Sequence, residues 1–408
     1  MIGLVVNPVA GIGGPAGLAG SDGADVQRLA VSRGARSRVQ ERTALALSVL
    51  AAQHPGLVVA TAAGEMGADA VRGAGLVPCV VYSAAATSRT RAESGEHAES
   101  GDFPLDLPDS ARLPDSARPT DAVDSKRAVA AVAAAGAELI LVVGGDGTLR
   151  DAAAGLGAEI MPAVLGIPAG VKMYSPVFAV SPRAAGALAA DWVTRGGLPT
   201  ADREVLDIDE AAMRRARVDP TLYGMLRVPY LAGRTQARKA ATPASEAAAV
   251  EAAARGAVAR MLPGIRYLLG PGGTTAAISR QLGVEGSPLG VDVVLDGAVV
   301  VRGASEQELL AEIARGPAQA VVTVIGGQGF LLGRGNQQLS ASVVRALGDD
   351  PLLVVAPEQK IIDLLGRPLL VDTGDLELDA RLAGHVRIVT GVGTSSLYAV
   401  AAPELTPV

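Results

Sequence analysis

This chain predicts an α/β fold: a doubly wound parallel-sheet N-terminal domain, a mixed α/β C-terminal domain and a cleft between them. Three observations carry that expectation. The first half alternates short Val- and Leu-rich runs, bounded by Gly or Pro, with longer helical patterns, as when strands buried on both faces alternate with crossover helices. Apolar residues make up 49% of the chain but aromatics only 2%, and 50 glycines supply tight turns between layers. The length, 408 residues, is long for one compact core and comfortable for two.

In chain order, strands are expected at Ile2–Val6, Leu57–Thr61, Cys79–Tyr82, Leu139–Val143 and Ala163–Ile167, with helices over Glu41–Ala52 and Lys126–Ala135. Residues 84–120 break the pattern. They are rich in Ser, Arg, Asp, Glu and Pro and hold a tandem repeat, Leu107-Pro108-Asp109-Ser110-Ala111-Arg112 followed by Leu113-Pro114-Asp115-Ser116-Ala117-Arg118. Without apolar periodicity such a segment cannot offset its ordering entropy by burial, so a disordered surface insertion is expected. The Arg195-Gly196-Gly197-Leu198-Pro199 run reads as a boundary between domains at 1–198 and 199–408. Beyond it, strands are expected at Glu204–Ile208 and Leu222–Pro229 and a helix at Ser245–Met261 capped by Ser245. Mixed α and β pieces follow at Tyr267–Leu269, Ala276–Leu282, Gly290–Leu295, Glu306–Arg315, Ala320–Ile325, Leu352–Val355, Leu369–Asp372 and Arg387–Thr390, with their strand order left open.

Composition excludes several classes. The net charge of -6 and the absence of a Lys/Arg stripe with interleaved aromatics argue against a nucleic-acid surface. The chain begins directly as a strand, and the longest weakly charged stretch, Ala128 to Val143, is too short and broken to span a bilayer, so no membrane partner and a cytoplasmic location are expected. The single cysteine, Cys79, lies in an apolar run and reads as a buried strand thiol. His54, His97 and His385 are scattered without ligand spacing, so no dedicated metal site is expected. Small-molecule nucleotides are the expected partners, and homo-oligomerisation stays open.

The strongest chemical signal is the apolar strand Leu139–Val143 running into Gly144-Gly145-Asp146-Gly147-Thr148 and then a helical run from Leu149 to Gly155. Glycines let the backbone turn sharply and approach a ligand. The helix that follows offers free N–H groups to an anion, and Thr148 can cap it or donate to a phosphate oxygen. A carboxylate beside phosphates would repel them unless it serves the chemistry. Asp146 either accepts a proton from an attacking hydroxyl or holds Mg²⁺ bridging the phosphates. The bland alternative is an Asx-type Asp in a strand-to-helix turn.

Other runs offer weaker candidates. Asn7 and the loop bearing Gly11, Gly13 and Gly14 follow the first strand, where a flexible turn and a ligand contact are both open; a dinucleotide fingerprint fits poorly because Pro15 intrudes. Gly170 and Lys172 follow another strand, and Lys172 is either a solvated charge or a phosphate contact. Gly272, Thr274 and Thr275 link a strand to a helix, where the threonines cap it or bind an anion. Asp292, inside an apolar strand, requires a partner or a ligand. In the Gly326–Gln338 loop, Gly327 and Gly329 allow close approach, Arg334 can neutralise phosphate and Asn336 can bond a ribose or amide. Walker A, G-x-S-x-G and H-E-x-x-H patterns are absent.

The Gly144–Thr148 run resembles the signature shared by NAD kinases, diacylglycerol and sphingosine kinases and 6-phosphofructokinases. Three further runs narrow the resemblance: Asn7-Pro8-Val9-Ala10-Gly11-Ile12-Gly13-Gly14, Gly166-Ile167-Pro168-Ala169-Gly170-Val171-Lys172-Met173, and Gly326-Gly327-Gln328-Gly329-Phe330-Leu331-Leu332-Gly333-Arg334-Gly335-Asn336-Gln337-Gln338. Together they are similar to the ATP-NAD kinase family, in the branch that includes acetoin-catabolism protein X. The chain departs from that branch at Tyr174, where His is usual, and in its insertion. The resemblance implies phosphoryl transfer from ATP or polyphosphate, with Mg²⁺, to the 2′-hydroxyl of NAD, with Asp146 as base. Two other readings are a kinase of the same superfamily acting on another hydroxyl acceptor and a nucleotide-binding accessory protein without turnover.

Overall fold

Residues 1–18, 24–84, 120–156, 162–171, 173–207, 221–230, 247–287, 289–325 and 327–405 are described by the computed structural model. The expected insertion (its two end residues aside), Ser245 as a helix cap, and Lys172 lie outside the described residues.

The first half runs β1 (Ile2–Val6), α1 (Ala24–Ser32), α2 (Val39–Gln53), β2 (Val58–Ala62), α3 (Ala68–Gly73), β3 (Val77–Tyr82), α4 (Ala122–Ala134), β4 (Leu139–Gly144), α5 (Asp146–Gly155), β5 (Ala163–Pro168) and α6 (Pro182–Arg195). The strands form a five-stranded parallel sheet in the order β3-β2-β1-β4-β5. β1, β4 and β5 are buried along their whole length, as their unbroken apolar runs require of strands covered on both faces. The helices between them start on local signals. Asp121 and Asp124 form a capping box on α4, and Ser181 caps α6 ahead of Pro182.

This order makes β1 and β4 neighbours, in register from Ile2 beside Leu139 to Val6 beside Val143. The chain winds outward through β2 and β3, returns to the centre at β4 and winds the other way to β5. The carboxyl ends of β1 and β4 therefore flank a topological switch point, the place where open α/β sheets bind ligands.

One strand differs from expectation. Among the described residues β3 pairs with β2 alone and is the sheet edge, and Val77, Cys79 and Val80 on it are exposed. The apolar run around Cys79 indicated strand correctly but not burial, because edge position is set by the order of strands and not by local composition.

β6 (Thr200–Asp207) and β7 (Thr221–Pro229) pair antiparallel. Although they follow the glycine-rich run at 195–199, Val205, Leu226 and Val228 pack into the same core as β1, β4 and β5. The ribbon leans on α5 and β5.

The rest runs α7 (Ala247–Val258), β8 (Arg266–Leu269), α8 (Gly273–Gln281), β9 (Val291–Leu295), β10 (Ala298–Ala304), α9 (Glu306–Ile313), β11 (Ala318–Thr323), β12 (Phe330–Leu332), α10 (Ala341–Ala346), β13 (Leu352–Val355), α11 (Glu358–Ile362), β14 (Leu369–Val371), α12 (Leu376–Leu382), β15 (Gly384–Gly391) and β16 (Thr394–Ala401). These strands make a nine-stranded mixed sheet, β10-β9-β8-β11-β13-β15-β16-β14-β12. Successive residues serve opposite faces: Leu268 and Val322 join one core, Leu269 and Val321 the other. The two-domain α/β architecture follows the expectation, with the second sheet mixed. No helix among the described residues is long and apolar enough to cross a membrane.

Candidate functional site

The switch point is built by three glycine-bearing turns. β4 delivers Gly144 and Gly145, β1 delivers Asn7 and the Gly11–Gly14 turn, and β5 delivers Ala169 and Gly170. They interlock through the backbone. Asn7 N–H donates to Val143 O at 3.1 Å, and Ala169 N–H donates to Gly144 O at 3.0 Å. A Cβ on Gly170 would lie 2.2 Å from Gly145 Cα, and one on Gly11 would lie 2.2 Å from Ala169 O. Only glycine permits that approach of main chain to main chain at Gly170.

Thr148 is fixed by the neighbouring turn. Asn7 Nδ2 donates to its Oγ1 at 3.1 Å, while Asn7 Oδ1 accepts from Val9 N–H at 3.2 Å. Gly144 leaves space for this hydroxyl, since a Cβ there would come within 2.3 Å of Thr148 Oγ1. α5 begins at Asp146 behind Gly145, whose position as N-cap brings no side-chain acceptor to the free helix N–H groups. Such an end is suited to an anion. Gly147 is the partly exposed residue of this run. Gly13 and Gly14 complete the first turn, Gly13 O accepting from Leu18 N–H at 2.9 Å and Gly14 N–H donating to Gly11 O at 3.1 Å.

Asp146 is buried, at 1% exposure. Its Oδ1 accepts from Ser175 N–H at 3.0 Å and from Ser175 Oγ at 2.7 Å, and its Oδ2 accepts from Tyr174 N–H at 2.5 Å. Burial pushes the carboxyl up to about 6 from 3.8, against the opposing pull of these three donors; the nearby Asp207 carboxylate adds to the rise. Ser175 Oγ in turn accepts from Leu206 N–H at 2.9 Å, so β6 is tied to the carboxylate through one hydroxyl. Asp207, next on β6, pairs with Arg150 of α5 at 2.8 Å.

A carboxylate offers roughly four lone-pair sites, and three of them are used here, which leaves acceptor capacity on Oδ2 for one hydroxyl proton. Among the described residues no group of three or more His, Cys, Asp or Glu side chains is placed to hold a metal ion. The three donors are N–H and O–H groups, so the remaining lone pair on Oδ2 can take a hydroxyl proton or one bond to Mg²⁺.

The second sheet reaches the same place through its 327–338 loop. Gln337 Nε2 donates to Gly170 O at 3.1 Å, and Gln328 Nε2 donates to Met173 O at 2.9 Å. Gly327 and Gly329 adopt φ of 77° and 82°, and Ile325 N–H closes the turn on Phe330 O at 3.1 Å. Neither glutamine stood out in the sequence. An amide flanked by glycines ahead of an apolar Phe-Leu-Leu run was the available signal for Gln328.

Several expected ligands are committed elsewhere. Arg334, at 3% exposure, donates to Asp372 Oδ2 at 2.7 Å and to Val180 O at 3.1 Å, and stacks on the Phe330 ring. Asp372 also takes a two-pronged bond from Arg42 of α2, at 2.8 and 2.9 Å. Arg334 is thus held by a buried carboxylate between the two sheets instead of facing a phosphate. Asn336 closes its own loop, bonding Leu331 O and Gly333 N–H, instead of presenting its amide to a ligand. Asp292 has the partners its burial demands, in Ser287 N–H, Ser287 Oγ and Gly303 N–H. Gly272, Thr274 and Thr275 start α8 in the second sheet, where Thr275 Oγ1 donates to Gly272 O at 2.8 Å and both threonines are buried.

The ATP-NAD kinase N-terminal domain matches residues 2–197, and the ATP-NAD kinase C-terminal domain matches residues 262–400. No curated protein and no solved structure matches at a significant level. The first match takes in all three interlocked turns and Asp146, the second takes in the loop that reaches them, and the chain belongs to the ATP-NAD kinase family.

Proposed function

We propose that this kinase transfers a phosphoryl group from ATP, or from polyphosphate, to the 2′-hydroxyl of NAD, giving NADP. The observation that carries the reading is the position of Asp146: a buried carboxylate of raised pKa at the first turn of an uncapped helix, beside a switch point framed by three glycine turns. In this reading the helix start and the Gly144–Thr148 backbone hold donor phosphates. Asp146 Oδ2 takes the proton of the acceptor hydroxyl. The freed oxygen bonds to the terminal phosphorus as the bond to the leaving phosphate breaks. A base near neutral pKa is ionised at working pH and still a competent proton acceptor. Mg²⁺ would arrive with the donor and neutralise its phosphates, and positioning supplies most of the remaining rate.

The Tyr174 departure from the family pattern bears little on this role. The group it offers Asp146 is a backbone N–H, which any residue but proline supplies. The β6–β7 ribbon follows the proposed 198/199 boundary yet packs into the first domain's core, and in this reading it works as a wall of that domain's site. Mass spectrometry of reactions containing purified protein, NAD, Mg²⁺ and either ATP or polyphosphate tests the proposal. NADP is the expected product. A labelled phosphate appearing on another hydroxyl acceptor but never on NAD would overturn the acceptor, and nucleotide binding without any product would overturn the kinase role.

A further inference from the structure

We propose that Gln328 is a positioning residue for Asp146, acting across the two sheets through a single peptide group. The Met173 carbonyl and the Tyr174 N–H belong to one planar unit. Gln328 Nε2 donates to the carbonyl end at 2.9 Å, and the N–H end donates to Asp146 Oδ2 at 2.5 Å. Rotation of that peptide would break both bonds together. The glutamine therefore fixes the direction in which the N–H points, and polarises it toward the carboxylate, as hydrogen bonds in a chain strengthen one another.

The geometry around Gln328 is built to hold it there. It is 5% exposed, at the tip of a turn whose flanking residues, Gly327 and Gly329, adopt left-handed φ that disfavours any other residue. Gly329 N–H donates to Ile325 O at 2.8 Å, and Arg367 Nη2 donates to Gly327 O at 3.1 Å, so the turn is anchored at both ends. Two neighbouring contacts grip the same segment: Gln337 on Gly170 O and Arg334 on Val180 O. Tyr174 and Ser175 thus hold Asp146, while Gly170, Met173 and Val180 are bonded to the 327–338 loop of the nine-stranded sheet. Any change in how the sheets meet is relayed to the carboxylate through the Met173–Tyr174 peptide.

The inference rests on Asp146 being the base, and the test separates the two. Gln328→Met keeps the length and removes the donor; Gln328→Glu keeps the shape and replaces the donor with an acceptor facing the Met173 carbonyl. Both are compared with wild type and with Asp146→Asn, in the NAD, ATP and Mg²⁺ assay and by amide NMR of the Tyr174 N–H. Loss of one such bond is expected to lower kcat about three- to tenfold in Gln328→Met, and further in Gln328→Glu, with KM for both substrates within about twofold. The Tyr174 amide is expected to shift upfield and exchange faster in both variants, a change that loss of packing alone would not confine to this residue. Unchanged kcat and an unmoved Tyr174 amide, while Asp146→Asn is inactive, would overturn the role of Gln328. Full turnover in Asp146→Asn would overturn the base assignment instead, and the NMR arm would still report whether the glutamine orients the peptide.

Discussion

Asp146 and Asp372 are each 1% exposed, yet their surroundings drive them in opposite directions. Asp146, beside the five-stranded sheet, is held by neutral N–H and O–H donors, and burial dominates, so its carboxyl titrates near neutrality. Burial opposes ionisation of Asp372 as well, but the guanidiniums of Arg42 and Arg334 outweigh it and hold that carboxyl well below the usual range. Two carboxylates with pKa values pushed apart serve different ends. One is left able to exchange a proton at the proposed site of phosphoryl transfer. The other is a fixed charge that ties α2 of the first sheet's layer to the β14 end of the second.

The largest effect is expected from breaking the fixed charge. Asp372→Ala leaves two buried guanidiniums without their carboxylate, which should cost about 3–5 kcal/mol of unfolding free energy in urea. Because the folded pKa of Asp372 is depressed, its contribution is present above the ordinary carboxyl pKa and is lost as the pH falls through the folded value. Wild-type stability in this variant would remove the distinction between the two carboxylates.

Asp146→Asn should lower turnover about a hundredfold or more while the protein stays folded by circular dichroism. The pH dependence sharpens the comparison, because the sign for Asp146 is reversed. Its folded pKa is raised, so its contribution to stability is fully present below 3.8 and is lost as the pH rises through about 6. Activity should climb through that same window as the base ionises, in kcat/KM measured from about pH 5 to pH 8. A rate that is flat across the window in wild type, or that still climbs there in Asp146→Asn, would assign the base elsewhere.

A glycine pair makes the same contrast between turns. Gly170→Ala puts a Cβ 2.2 Å from Gly145 Cα, where only main chain can move, so a loss of about 1–3 kcal/mol and a raised KM for nucleotide are expected. Gly273→Ala, at the first turn of α8 in the second sheet, meets nothing within 4 Å and should be neutral or stabilising by about 0.4–1 kcal/mol. Equal effects in thermal melts would mean that the first turn is not under the packing constraint described.

The parts of the molecule legible in the sequence are those in which the cause is local. β1, β4 and β5 announce themselves because strands covered on both faces must be apolar throughout. Asp146 stands out because a carboxylate between glycines after such a strand has no packing reason to be there. The second sheet was harder. β16 opens on three small polar residues, Thr394, Ser395 and Ser396, β12 spans three residues, and the strand order depends on pairings between distant segments. The partners of Asp146 were hidden for the same reason. Tyr174 contributes a backbone N–H, which leaves no trace in residue type, and Ser175 and Gln328 come near only once β5 and the second sheet are in place. Arg334 misled because a cation in a glycine-rich loop looks alike whether its anion is a phosphate or a carboxylate such as Asp372.

Cys79 offers the smallest effect and a check on the edge of the first sheet. Its apolar neighbours suggested a buried thiol, and the structure exposes it on β3, which among the described residues pairs with β2 alone. Cys79→Ser should therefore change stability by no more than about 0.5 kcal/mol, as exposed substitutions usually do. A maleimide should label the native protein at a rate close to that of the unfolded chain. A central strand would behave oppositely, because a hydroxyl replacing a packed thiol loses apolar contact and needs a hydrogen-bond partner that the core does not supply. Slow labelling together with a large loss of stability would mean that β3 is covered in solution, and the sheet's order would then have to place another layer against its outer strand.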